Sequence, residues 1–224
     1  MTVPFREAYK TKSSIVEHPN YPTGFYRARG KRFLDLIIIF ASLPFVLPMI
    51  ALLVLVVARD GGQPFFTQKR VGRHGRTFRM VKLRSMVPDA EAQLQAYLEQ
   101  NPQAREEWNR TQKLKSDPRI TRVGRFLRRS SLDELPQLWN VLKGDMSLIG
   151  PRPMMIDQVK LYPGDAYFSL RPGITGPWQV SERNETEFAD RARFDSGYLK
   201  ELSFRTDLNI LVRTFGVVMR CTGY

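Results

Sequence analysis

The stretch LIIIFASLPFVLPMIALLVLVVA, residues 36–58, contains no charged residue and decides which kind of fold this chain can have. The run is longer than most buried core helices, and about 20 apolar residues are enough to cross the core of a bilayer. Arg59 ends the run. A secretory signal peptide is not indicated, because more than 30 residues precede the run and no small-residue cleavage site follows it. The sequence therefore predicts a membrane helix.

Length does not decide whether this helix crosses the membrane or returns to the side from which it entered. A straight helix of this run would be roughly 35 Å long at about 1.5 Å per residue, which is enough to cross. Pro44 and Pro48 lie near its middle, and each proline removes a backbone hydrogen bond and clashes with the preceding turn. Both flanks are basic, which places both on the cytoplasmic side; the residues concerned are Arg27, Arg29, Lys31 and Arg32 before the run and Arg59, Lys69, Arg70, Arg73, Arg76 and Arg79 after it. A helix broken at Pro48 that returns to the cytoplasmic face satisfies both observations, and a single-pass helix with a proline kink is the alternative.

Asp35 lies just inside the basic entrance to the run. Lys31 and Arg32 are three or four residues away, so either could pair with it on one helical face. The other interpretation is that Asp35 lies among the lipid headgroups.

The charge of the whole chain narrows the classes of partner. The 224 residues include 35 Lys and Arg against 22 Asp and Glu, a formal net charge of +13. Such an excess fits nucleic acid, an anionic membrane surface or phosphorylated small molecules. The single cysteine, Cys221, excludes an intramolecular disulfide and fits a reducing compartment.

Residues 61–115 predict a hairpin followed by helices. The tetrapeptide at 73–76 is typical of a turn between two strands. Alternation through Phe78, Met80, Lys82 and Arg84 places cations on one side of a β-ribbon, and the simpler interpretation is a solvated face beside lipid headgroups. Residues 88–115 predict one or two exposed helices with a break at Asn101, before a proline, and indicate no chemistry.

The block SDPRITRVGRFLRRSSLDELPQLWNVLKGDMSLIGPRP, residues 116–153, places Asp133 and Glu134 at the start of a helix. Pro136 is tolerated only in a first turn, so the helix begins near 132–135, and Gly144 ends it. Ser131 and Glu134 have the spacing of a capping box. Four arginines crowd the acidic pair: Arg122, Arg125, Arg128 and Arg129. Such a place suits phosphate and hard cations, although acidic residues in a first turn are usually helix caps.

Four segments of the chain resemble one known family in their order and spacing. They are KRFLDLIIIF (31–40), FFTQKRVGRHGRTFRMVKLRSM (65–86), the block from 117 to 153, and RPGITGPWQVSERN (171–184). Together they are similar to the bacterial sugar transferases that are monotopic polyprenyl-phosphate phosphoglycosyltransferases, over about residues 31–211. The chain resembles the short members that initiate exopolysaccharide assembly, without the additional N-terminal domains of larger members.

The resemblance implies a reaction and a set of site residues. The reaction is transfer of a sugar 1-phosphate from a UDP-sugar to undecaprenyl (polyprenyl) phosphate, with release of UMP. Asp133 matches the family's nucleophile, which forms a covalent aspartyl-phosphosugar intermediate, and Glu134 matches its Mg²⁺ ligand. Arg152 matches the arginine of a rigid Pro-Arg-Pro loop that grips phosphate. The further substrate-binding residues implied are Lys82, Arg84, Arg128, Arg129, Gln179 and Arg183.

The resemblance also implies an architecture. The expected fold is α+β and mainly helical, with a basic N-terminal tail at 1–30, a re-entrant membrane helix at 31–58, and a catalytic domain containing a small β-hairpin at 59–224. That domain is expected to face the cytoplasm from the bacterial inner membrane. The family's Ser-Pro helix break falls on Leu47 and Pro48, so leucine replaces the serine. Pro177 and Glu182 also stand where many relatives carry a larger apolar residue and a glycine.

Two other classes of function fit the sequence less well. A membrane-anchored nucleic-acid-binding protein would need a recognition module, none is recognisable, and the acidic pair would be misplaced; no nucleic-acid partner is therefore predicted. An inactive scaffold for polysaccharide assembly would not need Asp133 and Glu134. The sequence does not identify the sugar, although the resemblance favours a hexose, and it leaves homo-oligomerisation open.

Overall fold

The computed structural model describes residues 24–59, 62–112, 114–181 and 187–220. A π-helical turn, Tyr26–Gly30, leads into the long helix α1, ahead of the predicted boundary at residue 31. The elements in chain order are α1 Lys31–Ala58, β1 Phe65–Val71, β2 Thr77–Leu83, α2 Ala90–Gln100, α3 Pro102–Thr111, α4 Arg122–Ser130, α5 Gln137–Lys143, β3 Ser147–Ile149, α6 Ala166–Ser169, β4 Gly173–Thr175, α7 Arg191–Glu201 and α8 Phe204–Met219. This is the mainly helical α+β fold that was predicted, and α2 and α3 meet at the predicted break.

Helix α1 runs through both of its prolines without interruption. The helical hydrogen-bond pattern includes Pro44 and Pro48, so the helix–break–helix arrangement predicted at Pro48 is not what the structure shows. A proline removes one helical donor, and apolar helices tolerate that loss because the remaining backbone groups still bond within the helix. Ser42 Oγ also donates to the Ile39 carbonyl at 2.9 Å, just before Pro44. The side of the membrane on which each end lies stays a prediction.

Both ends of α1 pack against the same folded domain. Ile39 is buried in the main core, and Leu53 and Val57 are buried in a second cluster with Leu83 and Leu127. The outward side of the helix exposes large apolar residues, namely Phe33, Ile37, Phe40, Phe45, Leu47, Leu52, Leu55 and Val56. By length and composition Tyr26–Ala58 could cross a membrane.

Asp35 holds the start of α1 to the strand β3. Its Oδ1 accepts hydrogen bonds from Ser147 Oγ at 3.1 Å and from the Leu148 backbone N–H at 3.0 Å. The expected pairing with Lys31 or Arg32 is wrong. Lys31 Nζ lies 2.7 Å from Asp207 Oδ2 instead.

Arg32 makes a second attachment close to the first. Its two terminal nitrogens donate to the carbonyls of Val141 and Leu142 at 2.5 and 2.9 Å. These carbonyls lie in the last turn of α5, where acceptors are commonly left over, and the Val141 carbonyl also accepts from the Gly144 N–H at 2.9 Å. The first turns of α1 are thus joined both to α5 and to β3.

The predicted hairpin is present. Strands β1 and β2 are antiparallel, with Phe65 opposite Leu83 and Val71 opposite Thr77, and Arg73–Gly75 forms the turn. Since side chains alternate between the faces of a strand, one face of the ribbon carries three cross-strand pairs: Phe66 with Lys82, Gln68 with Met80, and Arg70 with Phe78.

A second pair of strands was not predicted from the sequence. Strands β3 and β4 are parallel, with Ser147 opposite Gly173 and Ile149 opposite Thr175. A Cβ on Gly176 would lie 1.9 Å from the Gly150 carbonyl oxygen, so only glycine permits this approach. The loops that follow the two strands, 150–153 and 176–179, therefore begin next to each other at the same edge of the strand pair.

The Asp35 anchor gives a prediction about stability. Asp35→Ala leaves the buried Leu148 N–H without an acceptor, and we expect the free energy of unfolding to fall by about 1–3 kcal/mol. Asp35→Asn keeps an acceptor oxygen and is expected to cost less. Thermal unfolding in detergent micelles measures both variants. Equal losses would show that the charge of Asp35, and not its hydrogen bonds, holds the helix.

Candidate active site

A cavity of about 1050 Å³ lies over one face of the hairpin. The hairpin side chains Phe66, Gln68, Arg70, Met80 and Lys82 form one wall, and the loops after β3 and β4 form another. Helices α2 and α3 contribute a third wall, and the turn with Asp133 and Glu134 completes the lining.

The acidic pair lies on a short turn between two helices. Helix α4 ends at Ser130, Ser131 adopts a left-handed conformation with φ 58°, and Leu132–Glu134 forms a single 3₁₀ turn before α5. Gly144, with φ 85°, ends α5 as predicted. The predicted start near 132–135 coincides with the 3₁₀ turn, and α5 itself begins only at Gln137, after Pro136. The predicted capping box is wrong, because Ser131 makes no side-chain cap; its carbonyl accepts from the Glu134 N–H at 3.2 Å.

Lys82 joins the two carboxylates. Its Nζ lies 2.6 Å from Glu134 Oε1 and 3.9 Å from Asp133 Oδ2. Asp133 is only 5% exposed, and burial raises the pKa of its carboxyl above the usual range. The positive charge of Lys82 opposes this increase in pKa, Glu134 adds to it, and Arg128 and Arg152 oppose it.

The two arginines approach Asp133 from different elements. Arg128, on α4, donates from Nε to Ser85 Oγ at 2.9 Å, and burial lowers the pKa of its guanidinium. Arg152 lies in the loop after β3 and stands 5.8 Å from the ring centroid of Trp178, which follows β4. Both arginines line the cavity, so the structure brings together the acidic pair, Lys82 and these two predicted arginines.

The other predicted substrate-binding residues do not all lie beside the acidic pair. Gln179 lines the cavity and is 6% exposed, and both polar atoms of its amide are buried without a hydrogen-bond partner within the described residues. Arg84 also lines the cavity, and it donates to the carbonyls of Gln63 at 3.0 Å and Val57 at 3.1 Å, where the hairpin meets α1. Arg129 is exposed and does not line the cavity, so its role stays a prediction. Arg183 and Glu182 lie outside the described residues.

A sequence profile of the family described as bacterial sugar transferase matches residues 26–221. That span is most of the chain and includes every element of the cavity. The chain belongs to the bacterial sugar transferase family.

Individual relatives of this sugar transferase are similar over most of its length. The UDP-galactose-lipid carrier transferase of Erwinia amylovora is 48% identical over 195 residues, 86% of this chain and 41% of that protein. The undecaprenyl-phosphate galactose phosphotransferase of Salmonella typhimurium is 47% identical over the same shares. The exopolysaccharide production protein ExoY of Sinorhizobium fredii is 42% identical over 207 residues, 90% of this chain and 92% of that protein. The chain therefore spans less than half of the first two relatives and nearly all of the third.

Two arginines and two helices that line this sugar transferase's cavity were not predicted to do so from the sequence. Arg70 shares the hairpin face with Lys82, which the alternation along β1 could have shown once the register was known. Arg191, at the start of α7, belongs to no recognisable motif. Helices α2 and α3 contribute Leu94 and Trp108 to the lining, although their polar sequence indicated only exposed helices.

The magnesium ion that the family resemblance implies would need oxygen ligands from acidic side chains. Within the described residues, no group of three or more acidic, histidine or cysteine side chains could hold a metal ion. An all-protein cage therefore does not fit. Mg²⁺ commonly binds through one or two carboxylates together with substrate phosphates, and Glu134 beside Asp133 fits that mode.

Proposed function

We propose that the chain transfers a sugar 1-phosphate from a UDP-sugar to undecaprenyl phosphate, releasing UMP, as the first membrane step of exopolysaccharide or related glycan synthesis. The observation that carries the proposal is the buried Asp133 carboxylate in a cavity, with Lys82, Arg128 and Arg152 around it. A carboxylate among fixed cations is suited to attack on an anionic phosphate, because the cations reduce the charge repulsion.

In the first step an Asp133 carboxylate oxygen attacks the phosphorus that bears the sugar. As the new O–P bond forms, the bond from this phosphorus to the bridging oxygen breaks, and that oxygen leaves on UMP with the bonding electron pair. The product is an aspartyl-phosphosugar adduct, in which the bond between sugar and phosphate is intact. Dividing one displacement into two is the advantage of covalent catalysis.

In the second step a phosphate oxygen of undecaprenyl phosphate attacks the same phosphorus. The bond to Asp133 breaks, and the carboxylate is regenerated with its electron pair. Lys82 and Arg152 hold the phosphoryl oxygens in both steps, and Arg128 neutralises charge beside Asp133. Burial keeps water away from the adduct, which would otherwise be hydrolysed.

Glu134 is the residue that would hold a magnesium ion in this proposal. When bound, Mg²⁺ supplies charge neutralisation to phosphate oxygens. In the structure Lys82 occupies Glu134 Oε1 at 2.6 Å.

We further propose that both ends of α1 lie on the cytoplasmic face, with the uninterrupted helix lying in the cytoplasmic leaflet between them. Residues near both of its ends, Ile39 and Val57, are buried against one folded domain, and that domain also supplies Arg84 to the Val57 carbonyl. A domain with charged side chains cannot lie on both sides of a bilayer, because burying them in the hydrocarbon is costly. Helix α8 presents a second exposed apolar stripe, Phe204, Leu208, Val212, Phe215 and Met219, which fits contact with the same leaflet.

The sugar is proposed to be a hexose. The Erwinia and Salmonella relatives carry galactose in their names, whereas a Bacillus subtilis relative, 44% identical over 124 residues, is named for an N-acetylgalactosaminyl 1-phosphate. A panel of UDP-sugars incubated with undecaprenyl phosphate and membranes containing the protein identifies the donor by UMP release. An inactive scaffold would release no UMP with any of them.

The two carboxylates are expected to respond differently to magnesium. Asp133→Asn leaves no nucleophile, so UMP release should fall by roughly a thousandfold or more and stay low at every magnesium concentration. Glu134→Gln keeps a coordinating oxygen but loses the charge, so part of the activity should return at high magnesium by mass action. The measurement is UMP release across a magnesium titration with matched protein. Rescue of Asp133→Asn, wild-type activity in chelator, or a sugar-phosphate adduct on another residue would contradict these roles.

The pH dependence of the reaction is expected to move when Lys82 is neutralised. Asp133 must be ionised to attack, and the Lys82 charge lowers its pKa. In Lys82→Met that pKa should rise, so the acid limb of the rate profile should shift to higher pH. Lys143→Met, which removes an exposed lysine paired with Asp145, is the control and should leave the limb in place. An unmoved limb in Lys82→Met would show that Lys82 does not act on the ionisation of Asp133.

The topology is tested by cysteine labelling. In a Cys221→Ser background, single cysteines at Ser13 and at Ser116 lie before and after α1. An impermeant maleimide added to intact cells should label neither site, and permeabilised cells should show both. Labelling of Ser13→Cys alone in intact cells would mean that the helix crosses the membrane.

A further inference from the structure

Arg191 is a buried cation without an anionic partner in contact. Its side chain lines the cavity and is 6% exposed. Within the described residues its guanidinium makes no hydrogen bond or ion pair, and its Nε is buried and unpaired. Buried charges are normally paired because desolvation is costly. The guanidinium instead lies 4.4 Å from the ring centroids of both Trp178 and Phe188.

Two further arginines extend the positive charge. Burial is the main cause that lowers the pKa of Arg191 to about 9. The positive charges of Arg152 and, to a smaller extent, Arg70 lower it further. Burial and then Arg152 likewise lower the pKa of Arg70 to about 10. Arg70 donates to the Pro153 carbonyl at 3.3 Å, which places it against the Pro-Arg-Pro loop, and its Nε is also buried and unpaired.

No acidic group within the described residues neutralises this cluster by contact, although the charges of Asp157 and Glu134 act on Arg70 and that of Asp195 acts on Arg191. Asp195, one helical turn after Arg191, accepts a hydrogen bond from Tyr162 at 2.9 Å. Burial raises the pKa of Asp195 to about 7, so its negative charge is incomplete near neutral pH. The cluster of Arg70, Arg152 and Arg191 therefore keeps an excess of positive charge inside the cavity.

Along the hairpin, Arg70 lies further from the carboxyl end of α1 than Lys82 does. Arg84 bonds to the end of α1, and Lys82 with the acidic pair comes next along the ribbon. Arg70 lies opposite Phe78, which precedes Lys82 by four residues on β2, so Phe78 and Lys82 are roughly 13 Å apart along the strand at about 3.3 Å per residue. Arg152 acts on both Asp133 and Arg70, which places the cluster next to the reacting carboxylate.

We propose that Arg70, Arg152 and Arg191 form a subsite for the phosphate of the leaving nucleotide, and that Arg191 is a substrate-binding residue of the donor. This inference rests on the proposed function for the identity of the nucleotide. As the bond to the bridging oxygen breaks, negative charge develops on the UMP phosphate, one P–O–P link from the phosphorus at Asp133. A guanidinium with unused donors in a buried site stabilises that charge strongly.

The competing reading of Arg191 is purely structural, with the guanidinium packed between two aromatic rings. Cation–π contacts alone can hold a buried arginine. The two readings differ in what they predict for ligands, because only the phosphate subsite distinguishes UMP from uridine.

The test is the ratio of the dissociation constants for uridine and UMP, measured by ligand-observed NMR on the full chain in detergent. The wild type should prefer UMP. Arg191→Met keeps an apolar side chain against Trp178 and Phe188 but removes the charge, so UMP should bind about 10- to 100-fold more weakly while uridine is unchanged. Arg191→Lys should recover only part of the loss, and Arg193→Met, an exposed neighbour on α7, should bind as the wild type does.

Each result decides for or against the subsite. Equal weakening of UMP and uridine in Arg191→Met, or no weakening, would overturn the proposal. If Arg191→Met fails to fold, Arg70→Met should lower the same ratio, and an unchanged ratio there counts against the cluster. A wild type that transfers sugar phosphate but binds UMP no better than uridine would reject the subsite and leave the proposed function standing. A protein that prefers UMP to uridine as expected, but transfers no sugar phosphate, would support the subsite and reject the proposed function.

Discussion

The carboxylate of Asp35, buried at the start of the apolar helix, connects the membrane segment to the reacting groups. It accepts hydrogen bonds from Ser147 and Leu148 on the strand that leads directly into the Pro-Arg-Pro loop. Three residues earlier, Arg32 binds the carbonyls at the end of α5, the helix that follows the Asp133 turn. Because both contacts come from neighbouring turns of one helix, the positions of Asp133 and Arg152 are coupled to the position of the membrane helix.

Close backbone packing places the remaining walls of the cavity. The parallel strands β3 and β4 approach so closely that Gly176 has no room for a side chain. Loops at the carboxyl ends of adjacent parallel strands are a common place for ligands. Arg152 and Trp178 come from these two loops, and their contact joins Arg152 to the wall that contains Arg191.

The electrostatics at the reacting end of the cavity follow from the cations that act on Asp133, namely Lys82, Arg128 and Arg152. The acidic pair shares one lysine, while Arg70, Arg152 and Arg191 have no carboxylate in contact within the described residues. Burial raises the pKa of Asp133, and the nearby cations oppose that rise. A diphosphate substrate would bring negative charge to these cations, so this part of the cavity is electrostatically matched to the donor proposed for it.

The sequence by itself determined the apolar helix, the hairpin and the end of α5, because these depend on local signals: an uncharged run, strand alternation and Gly144. It also indicated Asp133, Glu134, Lys82, Arg128 and Arg152, since they lie in segments that resemble one family. Only the tertiary structure decided that Arg191 joins Arg70 and Arg152, since these residues are far apart in sequence and meet through the packing of α7 against the β4 loop. The capping box failed for the same reason: Ser131 has the right spacing, but the turn between α4 and α5 requires its backbone to be left-handed.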